Sequence, residues 1–444
     1  FYILKRLLNS PEIEYVVNAC DAGREGELIF KHVYDLSGSK KPVKRLWISS
    51  LEDSAILDGM QHLRSAEEYS HLAEAAVCRS QADWLVGMNA TRAYTTKYFK
   101  KLTVGRVQTP TLAMLVERAG QISNFQKEKY FNVELDCDGI PAIRQKIFDL
   151  NEAKQLRKRC QGSEAVVTAV NETEKKVKSP KLYDLTTLQR EANRIYGMTA
   201  KQTLDTAQSL YELKLITYPR TDSQYLTEDM EQTARNVIHQ IHEKYQLTGP
   251  FDQPEQPDVK KVMNNSKVTD HHAIIPTVEL ASSHLDELKS WEEKILFLIA
   301  VHTVMAMSKD HIYLETEVEV ECQGEIFKAK GKTVLQDGWK LFENCFKNKD
   351  RMAIVDPDQE MKERMPKVTQ GQTFYAVAAE KTEHFTSPPK PYSEDTLLAA
   401  METAGNKEFD EDTEKKGLGT PATRAGIIEK LIHSQYAIRK GKQI

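Results

Sequence analysis

The first fifty residues alternate short apolar runs with one amphipathic stretch. Ile13–Cys20 is predicted as a strand, a helix begins over Glu27–Tyr34, and Val43–Ser49 is predicted as a second strand. Strands that alternate with a helix indicate part of an α/β sheet. The pattern then becomes helical from Leu51 to about Gly120. Within it, Thr109-Pro110 predicts a helix start, with Thr at the N-cap and Pro at the first helical position.

Two β-rich stretches follow, and helices separate them. The first holds Tyr130–Cys137 and Ala165–Val170, and the second begins at Leu314 and continues through Thr373–Ala379. Strict alternation in the second stretch places four glutamates on one solvent-facing side of a strand: Glu315, Glu317, Glu319 and Glu321. Between the two stretches, roughly Tyr183–Met307, the pattern is mostly helical. We therefore predict a helical domain inserted into a β domain.

Three further segments complete the pattern. Ile295–Met307 is an apolar run of thirteen residues. A membrane span needs about 20, so this run is predicted to be a buried helix. Ser387–Pro391 is rich in proline and predicts an extended crossing into a last helical segment. Gly405–Gly417 is predicted to be a charged surface loop.

Composition excludes several classes of protein. At roughly 150 residues per domain, 444 residues suggest about three domains. A hydrophobic fraction of 40% with 28% charged residues is too apolar for a disordered chain. The six cysteines form no C-x-x-C pair, which argues against a zinc ribbon and a disulfide framework and favours reduced thiols.

The net charge of -4 conceals two basic stretches. Arg79–Arg118 holds seven Lys and Arg residues against two acids, and Lys175–Asp222 holds nine against five. Local basic stretches in a mildly acidic protein suit a surface that binds a polyanion. Charge alone fits two solvated helix faces equally well.

The acidic segment Asp21-Ala-Gly-Arg-Glu-Gly-Glu27 lies between a predicted strand and the next helix. Ligands bind at this point in open α/β sheets. Asp21, Glu25 and Glu27 would supply the oxygen ligands that Mg²⁺ prefers. The alternative is that these acids favour the helix dipole and that Arg24 partly neutralises them.

The segment Leu215-Ile-Thr-Tyr-Pro-Arg-Thr-Asp-Ser223 carries the second candidate site. Pro219 biases Tyr218 toward an extended conformation, in which residues two apart share a face. Tyr218 and Arg220 would then point the same way, a phenol beside a phosphate-binding guanidinium. The alternative is a half-buried tyrosine stacked on arginine beside a turn.

Other segments near these two are compatible with either binding or ordinary structure. Asp184–Ile195 and Ala200–Glu212 are predicted helices, with a capping box at Thr199 and Gln202, and form either a helix-turn-helix or an αα-hairpin. Thr269–Thr277 places two histidines beside an acid. One of them would donate a hydrogen bond to a phosphate, or both are ordinary polar residues of a loop.

Two glycine-containing loops run into Thr-Pro helix starts. They are Gly105–Pro110 and Gly417–Arg424, and each carries a nearby arginine, Arg106 or Arg424. Exposed helix N-termini bind phosphate, although plain capping explains each loop alone.

Taken together, seven segments resemble the type IA DNA topoisomerases, most closely the bacterial topoisomerase III branch. The resemblance runs through nearly the whole chain in one order: D-A-G-R-E-G-E-L-I-F, R-S-Q-A-D-W-L-V-G-M-N-A-T-R-A, V-G-R-V-Q-T-P-T, L-Y-D-L-T-T-L-Q-R-E-A-N, L-I-T-Y-P-R-T-D-S, D-H-H-A-I-I-P-T and G-L-G-T-P-A-T-R-A. One such segment would be a weak signal, but seven in sequence make coincidence hard to credit.

The resemblance implies a multidomain fold with α/β, helical and β-rich parts arranged as a toroid. Its domains would map onto this chain in six segments. These are residues 1–55 as the C-terminal part of a Toprim α/β domain, 56–127 and 386–444 as two segments of a helical DNA-binding domain, 128–178 and 312–385 as two segments of a β arch, and 179–311 as an inserted helical domain with the catalytic tyrosine.

The resemblance also implies the chemistry. Tyr218 would attack a phosphodiester of single-stranded DNA, form a 5′-phosphotyrosine and free a 3′-hydroxyl, and resealing after strand passage would need no ATP. Arg220 would hold the scissile phosphate, and His271 would position it or donate a hydrogen bond to it. Mg²⁺ would bind at Asp21 and Glu25. The matching positions expected to contact DNA are Arg24, Arg92, Arg106, Gln108, Arg190, Thr420 and Arg424.

Two departures from the family pattern bear on the site. The acidic motif is usually D-x-D-x-E, but Gly23 stands at the second acid, and we expect Glu27 to compensate. The chain has no initiator Met and begins in mid-pattern at Phe1, so we interpret it as a fragment. The family's N-terminal strand, with a Glu and a Lys near the cleavage site, would precede it, and activity is expected of the full-length protein.

The leading hypothesis is therefore an enzyme, an isomerase of DNA topology that relaxes negative supercoils and decatenates DNA with single-stranded regions. A non-catalytic single-strand DNA-binding relative is the main alternative, and a Toprim nuclease or primase is a third. The resemblance implies a cytoplasmic, monomeric bacterial protein that acts on single-stranded or negatively supercoiled DNA without a membrane. It leaves open a RecQ-type helicase partner.

Overall fold

A computed structural model describes residues 1–48, 53–247, 257–268, 270–343, 366–406 and 417–444. The chain divides into two compact units. One comprises residues 1–116, 180–307 and 392–444, and the other comprises residues 117–179 and 308–391. The six-segment division given above stays a prediction.

The first unit opens with a small α/β sheet. Its strands run in the order β1-β2-β3, with β1 and β2 parallel and β3 antiparallel to β2. The elements are α1 (Tyr2–Leu8), β1 (Val16–Asn18), α2 (Arg24–Ser37), β2 (Val43–Arg45), α3 (Asp53–Gln61) and β3 (Arg64–Ser65). Both predicted strands are present but shorter than expected. Asp21, Ala22 and Gly23 of the acidic segment lie between β1 and α2, whereas Arg24–Glu27 form the first turn of α2, so the helix begins earlier than predicted.

Two long helices follow, α4 (Ser70–Tyr98) and α5 (Gln108–Ser123). The predicted N-cap at Thr109 is wrong, because α5 already begins at Gln108. Thr109 donates its backbone N–H to the Gly105 carbonyl at 3.0 Å, so it lies inside the first turn. Its Oγ1 instead accepts a hydrogen bond from the Gly105 N–H at 3.1 Å. Pro110 fits here because the first-turn N–H groups have no partner within the helix.

The helical segment of the first unit contains α7 (Leu185–Tyr196), α8 (Ala200–Glu212), α9 (Glu231–Tyr245) and α10 (Ser290–Ala306). The predicted capping box at Thr199 and Gln202 is confirmed by hydrogen bonds of 3.0 and 3.1 Å in both directions. Gly197 ends α7 with a φ of 70°, a left-handed conformation that suits glycine.

The predicted burial of the apolar run is confirmed, because the α10 residues from Ile295 to Ala306 are all buried. Within the described ranges, no helix has the length and apolar character needed to cross a membrane.

The last segment of the first unit contains α11 (Glu394–Thr403) and α12 (Pro421–His433). A shared core of Ala200, Leu397, Leu398, Met401, Ala425 and Ile428 packs both helices against α8. Thr420 is the N-cap of α12 and Pro421 is its first residue, so this Thr-Pro start forms as the pattern indicated. Residues 407–416 of the predicted charged loop lie outside the described residues.

The described part of the second unit holds a seven-stranded antiparallel sheet, and α6 packs against its strands β4 and β10. The strand order is β10-β4-β5-β8-β7-β6-β9. The elements are β4 (Lys129–Cys137), β5 (Ile140–Ile147), α6 (Leu150–Cys160), β6 (Ala165–Val177), β7 (His311–Cys322), β8 (Glu325–Gln336), β9 (Thr373–Phe374) and β10 (Ala378–Phe385). The sequence pattern had not indicated β5 or α6, whereas β8 lies within the second predicted β-rich stretch.

The alternating strand β7 behaves as predicted. Val318, Val320 and Cys322 are buried in the core of the sheet. Two glutamates on the other face pair with lysines directly opposite on β8: Glu319 with Lys328 at 2.9 Å, and Glu317 with Lys330. The alternation thus sets which face of the strand packs inward.

Candidate active site

The segment that carries Tyr218 leaves α8 through a tight turn. Lys214 has a φ of 61°, and the next N–H, from Leu215, donates to the Leu210 carbonyl at 2.9 Å. Leu215 and Ile216 are then buried. These two side chains anchor the segment, after which Tyr218 is half-buried and Arg220 is exposed.

Hydrogen bonds attach this segment to the loop that carries the histidines. The Thr217 N–H donates to the Ile275 carbonyl at 3.0 Å, and Thr217 Oγ1 donates to the Ala273 carbonyl at the same distance. Thr221 Oγ1 donates to the His271 carbonyl at 2.9 Å. Two segments that are distant in sequence are therefore fixed side by side.

This pairing brings Tyr218 against His271. The two ring centroids are 4.3 Å apart and the planes are inclined by 48°. On another side, the ring of Tyr211, from α8, meets Tyr218 edge-on at 5.3 Å. The phenol is thus held between two rings and is only partly exposed.

The surroundings of Tyr218 set its acidity. Burial raises the pKa of the Tyr218 phenol, and the negative charge of Asp21 raises it further. The guanidinium of Arg220, which is exposed, lowers the same pKa. In the resting protein the phenol is therefore protonated at neutral pH, and Arg220 favours the phenolate.

His271 also faces the acidic segment. Its Nε2 lies 3.6 Å from Asp21 Oδ2, a separation too long for a hydrogen bond but short enough for electrostatic attraction. The same buried Nε2 has no hydrogen-bond partner among the described residues. The neighbouring imidazole lowers the pKa of the Asp21 carboxyl, so Asp21 is a carboxylate at neutral pH. Tyr218, His271 and Asp21 thus form one polar group.

The turn that carries Asp21 is fixed by Arg45, a buried arginine at the end of β2. Its guanidinium donates to the Asp21 carbonyl at 2.7 Å and to the Asn18 carbonyl at 3.0 Å. Gly26 is needed for close approach, because a Cβ there would lie 2.1 Å from the Asp21 carbonyl oxygen. The start of α2 and the turn therefore pack backbone against backbone.

The predicted metal set of Asp21, Glu25 and Glu27 does not fit the structure. Glu27 is buried, accepts from Arg45 Nε at 2.6 Å and is contacted by the Asn18 amide at 3.3 Å. Because its carboxylate neutralises a buried arginine, the structure argues against the predicted role of Glu27 as a compensating metal ligand. Asp21 and Glu25 are both exposed. No group of three His, Cys, Asp or Glu side chains in the described ranges is placed to hold a metal ion.

The positions expected to contact DNA fall into two groups. Arg92 and Thr420 are exposed and Arg24 is partly exposed. Arg106 and Arg190 are ion-paired, with Asp83 at 3.1 Å and Asp395 at 2.8 Å respectively.

The remaining two of these positions are buried and bonded within the protein. Gln108 donates to Thr103 Oγ1 at 3.3 Å. Arg424 is only 3% exposed and donates to Thr186 Oγ1 at 2.8 Å and to the Leu418 carbonyl at 3.0 Å. These contacts support a structural role for Arg424 in place of the predicted contact with DNA.

Sequence reasoning missed Arg45 and Tyr211. A charged residue that ends a strand gives no local signal that it will be buried beneath a neighbouring turn. Tyr211 is one of several helical aromatic residues, and only the turn after α8 brings its ring onto Tyr218.

Comparison with known proteins shows which family the chain resembles. A family model described as DNA topoisomerase matches residues 67–444. DNA topoisomerase 3 of Bacillus subtilis strain 168 is 40% identical over the whole chain, and that of Shouchella clausii strain KSM-K16 is 38% identical. A crystal structure of full-length topoisomerase I from Thermotoga maritima superimposes with a TM-score of 0.71 at 24% identity, covering 100% of this chain and 69% of that one.

The chain therefore belongs to the DNA topoisomerase family. Among the relatives compared, those named DNA topoisomerase 3 confirm the predicted resemblance to the type IA enzymes of the topoisomerase III branch. The structural likeness confirms the predicted fold class. The chain spans 62% of the length of both curated relatives.

Proposed function

We propose that the protein containing this chain is an ATP-independent type IA DNA topoisomerase that cuts one DNA strand through Tyr218. The observation that carries this proposal is the contact of Tyr218 with His271, 4.3 Å between ring centroids, with Asp21 behind the imidazole. Family membership supports the same activity.

The reaction is a transesterification. The Tyr218 oxygen forms a bond to phosphorus, the bond between phosphorus and the 3′-oxygen breaks, and a 5′-phosphotyrosine results. The phenol loses its proton and the departing 3′-oxygen gains one. One phosphate ester forms and one breaks, so their number is unchanged. Because the ester bond is conserved, the reverse step reseals the strand after another strand has passed and needs no nucleotide.

Two side chains would assist this step. Arg220 would hold the scissile phosphate, and its charge both lowers the pKa of Tyr218 and offsets the negative charge that develops on the phosphoryl oxygens. His271 has an unpartnered Nε2 beside Asp21, and this nitrogen would donate a hydrogen bond to the phosphate. The Asp21 carboxylate lies 3.6 Å from the same nitrogen.

The substrate and the setting follow from the family. We expect the substrate to be single-stranded DNA, or negatively supercoiled DNA that exposes single strands. The resemblance implies Mg²⁺ and leaves a RecQ-type helicase partner open. Because Asp21, Glu25 and Glu27 together do not fit a metal site, the proposed cleavage step uses only side chains of the protein. We also expect a monomeric protein of the bacterial cytoplasm.

Replacement of Tyr218 tests the proposal. In the full-length protein, Tyr218→Phe should abolish both relaxation of negatively supercoiled plasmid and the covalent DNA adduct, because only the reacting oxygen is removed. Tyr225→Phe is the matched control, since it removes a phenol from the same loop whose hydroxyl accepts only a long contact of 3.4 Å from Lys267.

The adduct is measured by denaturing gel and by mass spectrometry of the trapped peptide–oligonucleotide. An adduct that persists in Tyr218→Phe would refute Tyr218 as the nucleophile. Binding of single strands by the unchanged protein, with neither adduct nor relaxation, would favour the non-catalytic relative.

A further inference from the structure

Tyr211 is an aromatic residue of the site that the proposed cleavage step does not use. It lies in the last turn of α8 and is partly exposed. Its ring meets the ring of Tyr218 edge-on, with 5.3 Å between the centroids and 75° between the planes. Aromatic pairs favour this arrangement, because the positive edge of one ring then faces the negative face of the other. The contact therefore has a preferred geometry that an aliphatic neighbour would not impose.

The ring of Tyr211, rather than its hydroxyl, makes this contact. Among the residues that the structure describes, no hydrogen bond joins the Tyr211 hydroxyl to a partner. Burial is the largest cause that raises the pKa of Tyr218, and Tyr211 adds to the same rise. The hydroxyl therefore does not help the Tyr218 phenol to lose its proton. Phenylalanine at position 211 should serve as well as tyrosine.

Helix α8 holds Tyr211 in a fixed place. The preceding side chain, Leu210, is completely buried. One residue earlier, Ser209 Oγ donates to Glu292 of α10 at 2.7 Å. A group carried by a packed helix is positioned more precisely than one carried by a loop. Tyr211 thus presents a rigid wall to the residue that it contacts.

The turn after α8 brings Tyr218 back onto this wall. The Lys214 N–H donates to the Tyr211 carbonyl at 2.8 Å, and the left-handed conformation of Lys214 reverses the chain. The Lys214 carbonyl in turn accepts a hydrogen bond from Thr277 Oγ1. Two tyrosines that are seven residues apart therefore face each other across one tight, hydrogen-bonded turn.

We propose that Tyr211 is a positioning residue for the cleavage reaction, which holds the side chain of Tyr218 between its own ring and that of His271. This inference rests on the proposed function and extends it to a residue that acts through Tyr218 and not on the phosphate. The His271 ring contacts Tyr218 at 4.3 Å between centroids. Rings at two sides of Tyr218 restrict the rotamers open to it, so that its oxygen is presented in one direction. Attack on phosphorus requires such alignment of the reacting atoms.

Replacement of the ring tests this role by separating the rate of cleavage from the binding of DNA. In the full-length protein, Tyr211→Leu should lower the single-turnover rate of adduct formation about tenfold at saturating oligonucleotide, because the nucleophile is less well aligned. The Kd of the oligonucleotide, measured in a Tyr218→Phe background that cannot cleave, should not change. Tyr211→Phe should restore most of the rate, since it keeps the ring.

A spectroscopic measurement reports the contact directly. With 3-fluorotyrosine incorporated at position 218 alone, the fluorine resonance senses the ring current of Tyr211. Tyr211→Leu should displace this resonance, and Tyr211→Phe should leave it close to its original position. Loss of a merely structural side chain would lower stability without this selective change.

A control variant lies on the same helix end. Leu213→Ala removes an exposed apolar side chain two residues after Tyr211 and should leave both the rate and the resonance unchanged. Thermal unfolding midpoints identify any variant that fails to fold. Tyr211→Met provides a second variant without a ring, for which we expect the same loss of rate as for leucine.

The outcomes separate this inference from the proposed function. An unchanged rate in folded Tyr211→Leu, or an equal loss in Tyr211→Phe, would overturn the positioning role. A change confined to the Kd would also overturn it, because Tyr211 would then act in DNA binding. In each of these cases an adduct at Tyr218 of the unchanged protein would still support the topoisomerase. Absence of an adduct from the unchanged protein would overturn the proposed function and the positioning role together.

Discussion

At the scale of single residues, the phenol of Tyr218 is a poor nucleophile in the resting protein. Burial and the nearby Asp21 carboxylate both raise its pKa, and Arg220 is the neighbouring cation that lowers it. A phenol must lose its proton to attack phosphorus efficiently. The rate of cleavage should therefore depend on the charge of Arg220 even before the phosphate contact is considered.

Replacement of Arg220 tests this dependence. Arg220→Gln should slow adduct formation about tenfold or more near neutral pH and displace the pH profile of the rate to higher pH, because the pKa of Tyr218 rises when the guanidinium is lost. Arg220→Lys should recover part of the rate, since it keeps the charge but not the planar fork.

The control for this prediction is Arg235→Gln, which removes an arginine paired with Glu231 on α9 and should leave the profile unchanged. The measurement is single-turnover adduct formation on an oligonucleotide between pH 7 and pH 10. A slower rate without any displacement of the profile would show that Arg220 acts on the phosphate alone.

Residue-scale predictions from the sequence depend on whether neighbours in the chain decide the chemistry. Pro219 and the i, i+2 spacing predicted that Tyr218 and Arg220 lie together, and the charge of Arg220 lowers the pKa of Tyr218. The predicted metal role of Glu27 did not take into account the partner that neutralises it, because Arg45 comes from β2. No spacing rule within the acidic segment reveals that ion pair.

At the scale of elements, local capping signals define several helix starts. Asp184 accepts from the Thr187 N–H at 2.7 Å and Thr199 accepts from the Gln202 N–H at 3.1 Å, each at the N-cap of its helix. Thr420 occupies the same position before α12. Thr109 is not an N-cap, because its own N–H donates to the Gly105 carbonyl and it therefore lies inside the first turn of α5. A capping residue identifies a start only where the preceding chain is extended.

The cap of α7 also makes stability depend on pH. Burial raises the pKa of Asp184 to about 6, above the ordinary value of about 4. The folded state then binds this proton more tightly than the unfolded state. The contribution of this proton to the free energy of unfolding is fully present below about pH 4 and is lost as the pH rises through about 6.

Replacement of Asp184 by Asn should remove this dependence while keeping an oxygen that caps Thr187. The free energy of unfolding of the unchanged protein, relative to Asp184→Asn, should fall by up to about 3 kcal/mol between pH 4 and pH 7. Asp149→Asn, at the exposed N-cap of α6, is the matched control. Urea unfolding across this pH range provides the measurement, and parallel curves for the Asp184 variant and the unchanged protein would contradict the prediction.

At the scale of the whole molecule, charge counted along the sequence overstates the cations available to DNA. Arg424 is buried and bonded to Thr186, and Arg106 is paired with Asp83. Arg92, on the long helix α4, is exposed. The basic stretch Arg79–Arg118 therefore contains both an ion-paired and a solvent-facing arginine, Arg424 outside it is structural, and binding measurements should separate these arginines.

Salt dependence of single-strand binding distinguishes these two kinds of arginine. Binding should weaken as the salt concentration rises, because phosphate contacts release counterions. For single strands, the logarithm of the binding constant should fall with the logarithm of the salt concentration with a slope of roughly 0.7 per phosphate contact. Arg92→Gln should reduce the slope by about that amount. Arg424→Gln should instead lower the unfolding midpoint and leave the slope unchanged, because a buried cation is lost.

Fluorescence anisotropy of a labelled oligonucleotide in a salt series gives both slopes. A flat response of the unchanged protein would exclude a phosphate-binding surface. An equal reduction of slope in both variants would mean that Arg424 contacts DNA after all.

The sequence by itself determined what depends on near neighbours in the chain. Helix caps, the alternation of β7 and the buried α10 are all set by interactions within a few residues. Only the tertiary structure decided which distant groups meet. It paired Glu27 with Arg45, buried Arg424, and brought Asp270 to the space beside Gly23. The physical reason is that a buried ion pair or a filled space depends on the path of the backbone between two segments, and no local pattern of polar and apolar residues encodes that path.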